Sequence, residues 1–291
     1  METAELLKKV RKIEIKTRGL SNQIFSGEYH SAFKGRGMTF SEVREYMPGD
    51  PIRSIDWNVT ARFNQPYVKV FEEEREITLM LLIDVSGSEN FGTKGQLKRE
   101  MITEVAAVLA FSAAQNNDKI GCILFSDRVE KYIPPKKGKS HVLRIIREMI
   151  EFKPKHTGTN ISEALSFFIN VTKKRSIAFL ISDLMDQDYL KLLQIANKKH
   201  DLVALISRDM SEDELPNLGL IPMKDFETGN TLWIDTSNTK VRDSYSKKRK
   251  IQLLETQDLL RKTGVDFTSL FTGTSFVKPL MQLFKQRGSK R

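Results

Sequence analysis

The sequence predicts an α/β fold in which helices cover both faces of a mostly parallel sheet. Two observations lead to this prediction. Apolar runs of strand length alternate with segments of helix length across most of the chain. The helical segments are long enough to carry the chain back across a sheet, which favours parallel neighbouring strands. Their connections are expected to be right-handed.

The predicted elements begin after residue 76 and follow in a regular order. A short segment over 128–133 closely follows the strand predicted at 119–125 and is expected to be its hairpin partner at the sheet edge. It should stop at Pro134-Pro135, because proline cannot donate to a strand ladder. The other strands are predicted at 77–84, 119–125, 176–182, 202–207, 231–235 and 265–271. The helices are predicted at 95–116, 140–152, 160–171, 188–199, 240–263 and 276–286.

Residues 1–76 do not follow this rhythm. They are punctuated by glycines and prolines and contain few long apolar runs. We therefore expect an N-terminal extension of short strands and turns over 1–76, packed on an α/β domain formed by residues 77–291.

Composition narrows the class of protein. The 291 residues suffice for a full core, and the longest apolar runs are far too short to span a bilayer. The charged N-terminus lacks the apolar segment of a secretory signal. The single cysteine, Cys122, excludes an internal disulfide and lies in an apolar run, which favours a buried structural thiol. Together these features predict a soluble cytoplasmic protein.

The net charge of +10 is concentrated at the two ends of the chain. Residues 237–291 carry +9 and residues 1–36 carry +4, whereas the middle is slightly acidic. The densest run is Lys247-Lys248-Arg249-Lys250, which could contact acidic lipid, RNA or an acidic partner. A solvated helix face is the favoured interpretation. Few aromatic residues lie among the basic ones, so the nucleic-acid signal is weak.

The first predicted strand runs directly into Asp84-Val85-Ser86-Gly87-Ser88. This places one carboxylate and two hydroxyls at the carboxyl end of a central strand, where open α/β sheets bind ligands. All three side chains offer oxygen, which hard cations such as Mg²⁺ prefer. The pattern predicts a metal-centred recognition site.

Two later segments extend this predicted site. A Gly/Thr loop over 155–160 opens a helix and offers Thr159, and a second apolar strand ends in Asp183. Two strands that end in aspartate put both carboxylates at one sheet edge, where they repel unless a cation lies between them. Asp84, Ser86, Ser88, Thr159 and Asp183 are therefore predicted to form one oxygen cage for Mg²⁺, with Mn²⁺ and Ca²⁺ as alternatives.

Each of these residues has an alternative role. The two serines could cap the following helix or shape a turn. Thr157 could replace Thr159 as the ligand. Asp186 lies nearby, but we expect it to start the next helix.

The five residues resemble the metal-ion-dependent adhesion site of von Willebrand factor A domains. The resemblance implies that Ser86, Ser88 and Thr159 act as direct or water-mediated ligands. It also implies that one aspartate binds the metal directly and the other through water. An open coordination position would then accept an acidic residue from a partner.

A longer stretch resembles the bacterial domain-of-unknown-function family fifty-eight, whose members carry a von Willebrand factor A-like domain. The resemblance lies in residues 36–50, 52–57, 61–62 and 70–76. It implies a MoxR-type AAA+ ATPase, or a substrate of one, as partner. Many members carry N-terminal transmembrane helices, which this chain is expected to lack.

Asp50, Asp56 and Trp57 of this signature should hold the N-terminal extension against the domain. The Glu72-Glu73-Glu74 run is either a docking surface for a basic partner or a solvent-exposed segment that leads into the first predicted strand.

Enzyme signatures are weak in this sequence. The histidines His30, His141, His156 and His200 are scattered, and Ser86 lacks the glycine-flanked elbow of α/β-hydrolases. Neither a phosphate-binding loop nor a dinucleotide-binding motif occurs. A magnesium-dependent phosphohydrolase with His156 as acid/base is the enzymatic alternative. The sequence predicts a non-enzymatic protein-binding module. Its rival is a basic protein that binds membrane or nucleic-acid surfaces and keeps a vestigial metal site.

Overall fold

A computed structural model describes residues 10–11, 13–14, 38–73, 77–93, 95–224 and 230–289. The chain divides into two compact units. One is Phe33–Ile77, and the other combines Met1–Ala32 with Thr78–Arg291. Parts of the N-terminal signature, residues 36–37 and 74–76, lie outside the described residues, and so does most of the stretch before it.

The smaller unit is built on an antiparallel pair of strands, β1 (Met38–Glu45) and β2 (Tyr67–Glu73). A short helix, Trp57–Phe63, lies between them in the chain. Asp56 caps this helix, because its Oδ1 accepts hydrogen bonds from the amides of Asn58 at 3.0 Å and Val59 at 3.3 Å.

The signature residues of this unit act within it. Asp50 accepts two hydrogen bonds from the Arg44 guanidinium, at 2.8 and 2.7 Å, and a third from the amide of Met47 at 2.9 Å. Trp57 is 66% exposed. These contacts fix a local turn and a helix start. The expectation that Asp50, Asp56 and Trp57 pin the extension to the domain stays a prediction.

The larger unit contains a six-stranded sheet. Its strands are β3 (Thr78–Asp84), β4 (Lys119–Phe125), β5 (Val129–Lys136), β6 (Ile177–Ser182), β7 (Asp201–Arg208) and β10 (Asp266–Phe271). They lie in the order β10-β7-β6-β3-β4-β5. All neighbours are parallel except β5, which pairs antiparallel with β4 at one edge. From residue 77 onward, the α-helices of the described part of the chain are Lys98–Gln115, Lys139–Glu151, Ile161–Val171, Leu190–Lys199, Thr239–Thr263 and Val277–Ser289.

The four central strands are buried almost throughout, as expected of parallel strands covered on both faces. Met80 and Leu82 of β3 pack in one cluster with Leu165 and Phe168 of the helix Ile161–Val171. Alternate residues of β3 point to the opposite face, where the helix Lys98–Gln115 contacts the sheet. The predicted α/β architecture is thereby confirmed. Cys122 is fully buried in β4, as predicted.

Three local predictions were wrong. Strand β5 continues through Pro134-Pro135 to Lys136, because it lies at an edge, where a missing N–H leaves no inner partner unpaired. The first long helix begins at Lys98, since Gly95 has a left-handed φ of 76°. The helix predicted from residue 188 begins at Leu190, because Asp188 is also left-handed, with φ 62°.

A strand at Leu220–Lys224, β8, was not predicted. It pairs antiparallel with β9 (Thr231–Asp235) as a separate two-stranded hairpin. The prediction for 231–235 therefore had the right bounds, but this strand lies outside the main sheet. Among the described residues, no helix is both long and apolar enough to cross a membrane.

Candidate metal centre

Strands β3 and β6 bring the two predicted aspartates to the same edge of the sheet. In their parallel register, Ile83 lies beside Ile181, so Asp84 and Asp183 follow at the carboxyl ends. The hydroxyl of Ser182 donates a hydrogen bond of 2.7 Å to Oδ2 of Asp84. Asp84 is only 2% exposed. Its carboxylate is thus fixed in the sheet edge by the neighbouring strand.

The Asp-x-Ser-x-Ser segment turns sharply after β3. The amide of Ser86 donates to Oδ1 of Asp84 at 2.9 Å, and a single 3-10 turn follows over Gly87–Asn90. The turn brings the hydroxyl oxygens of Ser86 and Ser88 to 3.1 Å from each other. The two hydroxyls therefore converge beside the Asp84 carboxylate.

The Gly/Thr loop is anchored against this turn. The amide of Gly87 donates to the carbonyl of Thr157 at 2.8 Å, and the amide of Asn160 donates to the carbonyl of Ser126 at 2.8 Å. Thr159 is half-buried and Thr157 is exposed. The loop thus reaches the turn through the Thr157 backbone, and a ligand role for the Thr159 hydroxyl stays a prediction.

Asp186 does not start the helix that follows it, contrary to the prediction. Its Oδ2 accepts a hydrogen bond of 2.7 Å from the amide of Ile161, so it caps the preceding helix, Ile161–Val171. Tyr189 occupies the cap position of the next helix. Asp186 therefore stabilises the helix that the Gly/Thr loop opens.

Glu89 is a carboxylate of this site that the sequence reading missed. It is 1% exposed, and its Oε1 accepts a hydrogen bond of 2.8 Å from the Ser207 hydroxyl. Its other oxygen, Oε2, is buried and has no hydrogen-bond partner within the described chain. One carboxylate oxygen each of Asp84, Glu89 and Asp183 lie within 4.8 Å of one another. The sequence indicated a role for Glu89 only through its position, because Glu89 directly follows Ser88 of the Asp-x-Ser-x-Ser segment.

Lys98 is the second residue that sequence reasoning missed. Its side chain is fully buried at the start of the long helix, and its Nζ lies 3.1 Å from Oδ2 of Asp183. The same nitrogen lies 2.9 Å from Oε1 of Glu212. Burial alone would lower the pKa of Lys98, but Glu89, Asp183 and Glu212 outweigh burial and raise the pKa. Lys98 is therefore a charged ammonium inside a carboxylate cluster.

Glu212 is itself held in place by its own turn. The amide of Asp209 donates to Oε2 of Glu212 at 3.0 Å. Asp209 in turn accepts hydrogen bonds from the amide and hydroxyl of Thr93, at 2.8 and 2.7 Å, and from the hydroxyl of Thr272. Burial opposes ionisation of Asp209, but these bonds outweigh it and lower its pKa to about 2. The segment that carries Glu212 is thereby fixed beside Lys98.

The electrostatics of the cluster favour an added cation. Burial, and then the nearby Asp183 carboxylate, raise the pKa of Asp84 to about 7, although bonds from Ser182 and Ser86 oppose the shift. Burial also raises the pKa of Glu89 well above its usual range, and Lys98 opposes this only in part. Lys98 thus faces three acidic side chains, Glu89, Asp183 and Glu212, and Asp84 adds a fourth acidic group to the cluster. The unpartnered Glu89 oxygen and the all-oxygen donor set fit a hard divalent cation.

Comparison with known proteins places the chain in a family. The family described as "Protein of unknown function DUF58" matches residues 42–253. The chain belongs to this family. The matched range includes the whole Asp-x-Ser-x-Ser turn, Lys98, Asp183 and Glu212.

Two relatives show how far the family likeness extends. This DUF58 chain is 23% identical over 292 residues to the uncharacterized protein Rv1480 of Mycobacterium tuberculosis. The alignment covers 99% of this chain and 91% of the relative. It is 33% identical over 110 residues to the uncharacterized protein YeaD of Bacillus subtilis. That alignment covers 38% of this chain and 25% of YeaD.

A solved structure supports the fold. The conserved hypothetical protein BatB from Bacteroides thetaiotaomicron aligns with a TM-score of 0.51 and 15% identity, over 73% of this chain and 99% of that chain. At this level the likeness concerns the fold alone. The sheet and its helices form a von Willebrand factor A-like α/β fold, as the sequence resemblance implied.

Proposed function

We propose that this DUF58 chain is a non-enzymatic protein-binding module that depends on a divalent cation. The observation that supports the proposal is the convergence of two buried carboxyl groups, Asp84 and Glu89, the half-buried Asp183 and two serine hydroxyls at one sheet edge. Buried carboxylates this close together are costly unless a cation lies among them. The cation is expected to be Mg²⁺, with Mn²⁺ or Ca²⁺ as alternatives.

The chain's own residues would prepare the site. Ser182 orients Asp84, and Lys98 holds one oxygen of Asp183. Ser86 and Ser88 offer neutral oxygens, so part of the donor set carries no charge. A bound divalent cation supplies a positive centre that can accept a carboxylate oxygen from a partner. Protein recognition at such a site depends on an aspartate or glutamate of the partner.

The proposed partner offers that acidic residue. The family resemblance makes a MoxR-type AAA+ ATPase, or one of its substrates, the first candidate, with this chain acting as an adaptor. We place the interaction in the cytoplasm. The basic C-terminal region would add a weak contact with a membrane surface.

Catalysis is the less favoured interpretation of the same cluster. The acid/base candidate His156 has its Nδ1 3.7 Å from Oδ2 of Asp127, on the loop after β4. A phosphohydrolase would need this ring to transfer a proton at the cluster, whereas its Nδ1 faces Asp127. Turnover of a phosphate ester that is lost in Asp84→Asn would replace the proposed binding role with the enzymatic one.

Calorimetric titration with Mg²⁺ and with Mn²⁺ tests the proposal. We expect saturable binding of about one ion to the wild-type protein and a loss of binding in Asp84→Asn. Asp258→Asn is the matched control, because Asp258 is an exposed carboxylate on the helix Thr239–Thr263. Absence of binding in wild type and in both variants would contradict the proposal.

A further inference from the structure

A cavity of about 860 Å³ opens directly beside the candidate metal centre. Ser88 and Asp183 form one side of it, so the cavity and the centre share residues. Apolar side chains form much of the remaining wall, including Leu215 and two residues of the β8–β9 hairpin, Ile221 and Met223. The volume lies within the range of about 300–1,000 Å³ that is typical of ligand pockets. The cavity therefore has room for several side chains of a bound segment.

The helix Thr239–Thr263 supplies a basic rim to this cavity. Lys248 and Arg249 both line it, and Lys248 is exposed. The Nε of Arg249 donates to the carbonyl of Glu212 at 3.1 Å, and its Nη1 lies 3.3 Å from Sδ of Met185. These contacts hold the guanidinium at the cavity edge. Positive charge and apolar surface thus face the same space, together with the carboxyl groups of Asp183 and Glu212, which are both paired with the buried Lys98.

We propose that this cavity receives an extended acidic and apolar segment of a protein partner, and this inference rests on the proposed function. One carboxylate of the segment binds at the metal centre, an apolar side chain enters the cavity, and a second carboxylate lies against Lys248 and Arg249. Alternate side chains of an extended chain lie on the same side, roughly 7 Å apart. A segment with an acidic residue and an apolar residue two positions apart therefore suits neighbouring sites.

Charge and polarity together select this occupant. A nucleic acid would satisfy the basic rim, but its phosphates would leave the apolar wall without a partner. A purely apolar segment would bury the wall but would leave Lys248 and Arg249 without compensating charge. A segment that combines carboxylates with a bulky apolar side chain complements both surfaces.

Selection from a random displayed peptide library tests the inference. The wild-type protein is immobilised with Mn²⁺, and bound peptides are eluted with a chelator. We expect the eluted peptides to be enriched in an aspartate or glutamate that lies two positions from a bulky apolar residue. A chelator-eluted pool rich in acidic residues but without apolar preference would overturn this inference and leave the proposed function intact. A pool without chelator-sensitive binders would count against the proposed function itself.

Three variants show whether the selected peptides use the cavity. Met223→Gln changes the apolar wall and Lys248→Gln changes the rim. Lys247→Gln is the matched control, because Lys247 is exposed on the same helix but is not among the residues that line the cavity. We expect about tenfold weaker peptide binding in the first two variants and no change in the third. The inference would be overturned if the wild type and all three variants bound the peptide with equal affinity. Full displacement of the peptide by an equal concentration of free glutarate would also overturn it.

Discussion

The side-chain nitrogen of Lys98 lies 3.1 Å from Oδ2 of Asp183, one of the two predicted metal-binding aspartates. The lysine side chain is completely buried. An ammonium is therefore part of the proposed cation site, where it compensates some of the carboxylate charge. This arrangement couples the stability of the protein to the affinity of the site for a metal ion, since both depend on how the same carboxylates are neutralised.

Lys98→Met should reveal this coupling. Removal of the buried ammonium leaves Asp183, Glu89 and Glu212 without their internal cation. We expect the free energy of unfolding without metal to fall by about 3–5 kcal/mol, the usual cost of breaking a buried ion pair. Added Mg²⁺ should stabilise the variant more than the wild type, because it replaces the lost charge. Denaturant unfolding with and without Mg²⁺ measures both effects.

An exposed lysine provides the control for that experiment. Lys247→Met changes the same residue type on the surface of another helix and should leave the unfolding free energy almost unchanged. Equal stability of Lys98→Met and wild type would show that Lys98 does not compensate the cluster.

Glu89→Gln should affect stability and metal binding in opposite directions. The carboxylate is buried, and one of its oxygens has no hydrogen-bond partner among the described residues, so a neutral amide lowers the cost of desolvation. We expect unfolding free energy without metal to be equal or higher. Metal affinity should fall by about 10-fold to 100-fold, as for carboxylates next to metal ligands. Calorimetry and denaturant unfolding test the pair of effects, with the exposed Glu255→Gln as control. Unchanged metal affinity would remove Glu89 from the site.

The strand-end residues of the site could be predicted from sequence because local patterns determine them. An apolar run followed by Asp84, and another by Asp183, is visible without knowledge of the fold. Parallel pairing of β3 and β6 then brings the two carboxylates to one edge. Strand β4 was likewise predicted with its observed bounds, since its apolar run is bounded on both sides by polar residues.

Lys98 and Glu89 could not be predicted in this way. A lysine at the start of a helix is normally solvated, and its partner Glu212 lies 114 residues away in the chain. Glu89 is bonded to Ser207 across 118 residues. Only tertiary packing makes these side chains neighbours. Strand β8 was missed for a different reason, because it is short, contains Pro222 and pairs outside the main sheet.

The metal affinity should rise with pH. The pKa of Asp84 is raised to about 7, so without metal the native state retains a proton that the unfolded chain loses near pH 4. The contribution of Asp84 to stability is therefore present below about pH 4 and is lost as pH rises to about 7. A cation must displace this proton, so its affinity should increase over the same interval.

Titration of the protein with Mn²⁺ at several pH values between about 5 and 8 measures this dependence. Asp84→Asn cannot release a proton at this position, and its stability without metal should be less dependent on pH. A metal affinity that is constant across the interval would contradict the assignment of the raised pKa to Asp84.

Salt and chelator should act differently on complexes of this protein. If the proposed metal centre mediates binding, a chelator should dissociate a complex with an acidic peptide, while moderate salt weakens it only slightly. Binding through the basic run Lys247-Lys248-Arg249-Lys250 to anionic vesicles or RNA should show the reverse, because it depends on counterion release. Fluorescence anisotropy with a labelled acidic peptide, compared with co-sedimentation on phosphatidylserine vesicles, separates the two. The opposite outcome is high-affinity vesicle binding that the chelator does not change, with no chelator-sensitive peptide binding. In that case the basic helix would be the functional surface, and the carboxylate cluster would have no role in binding.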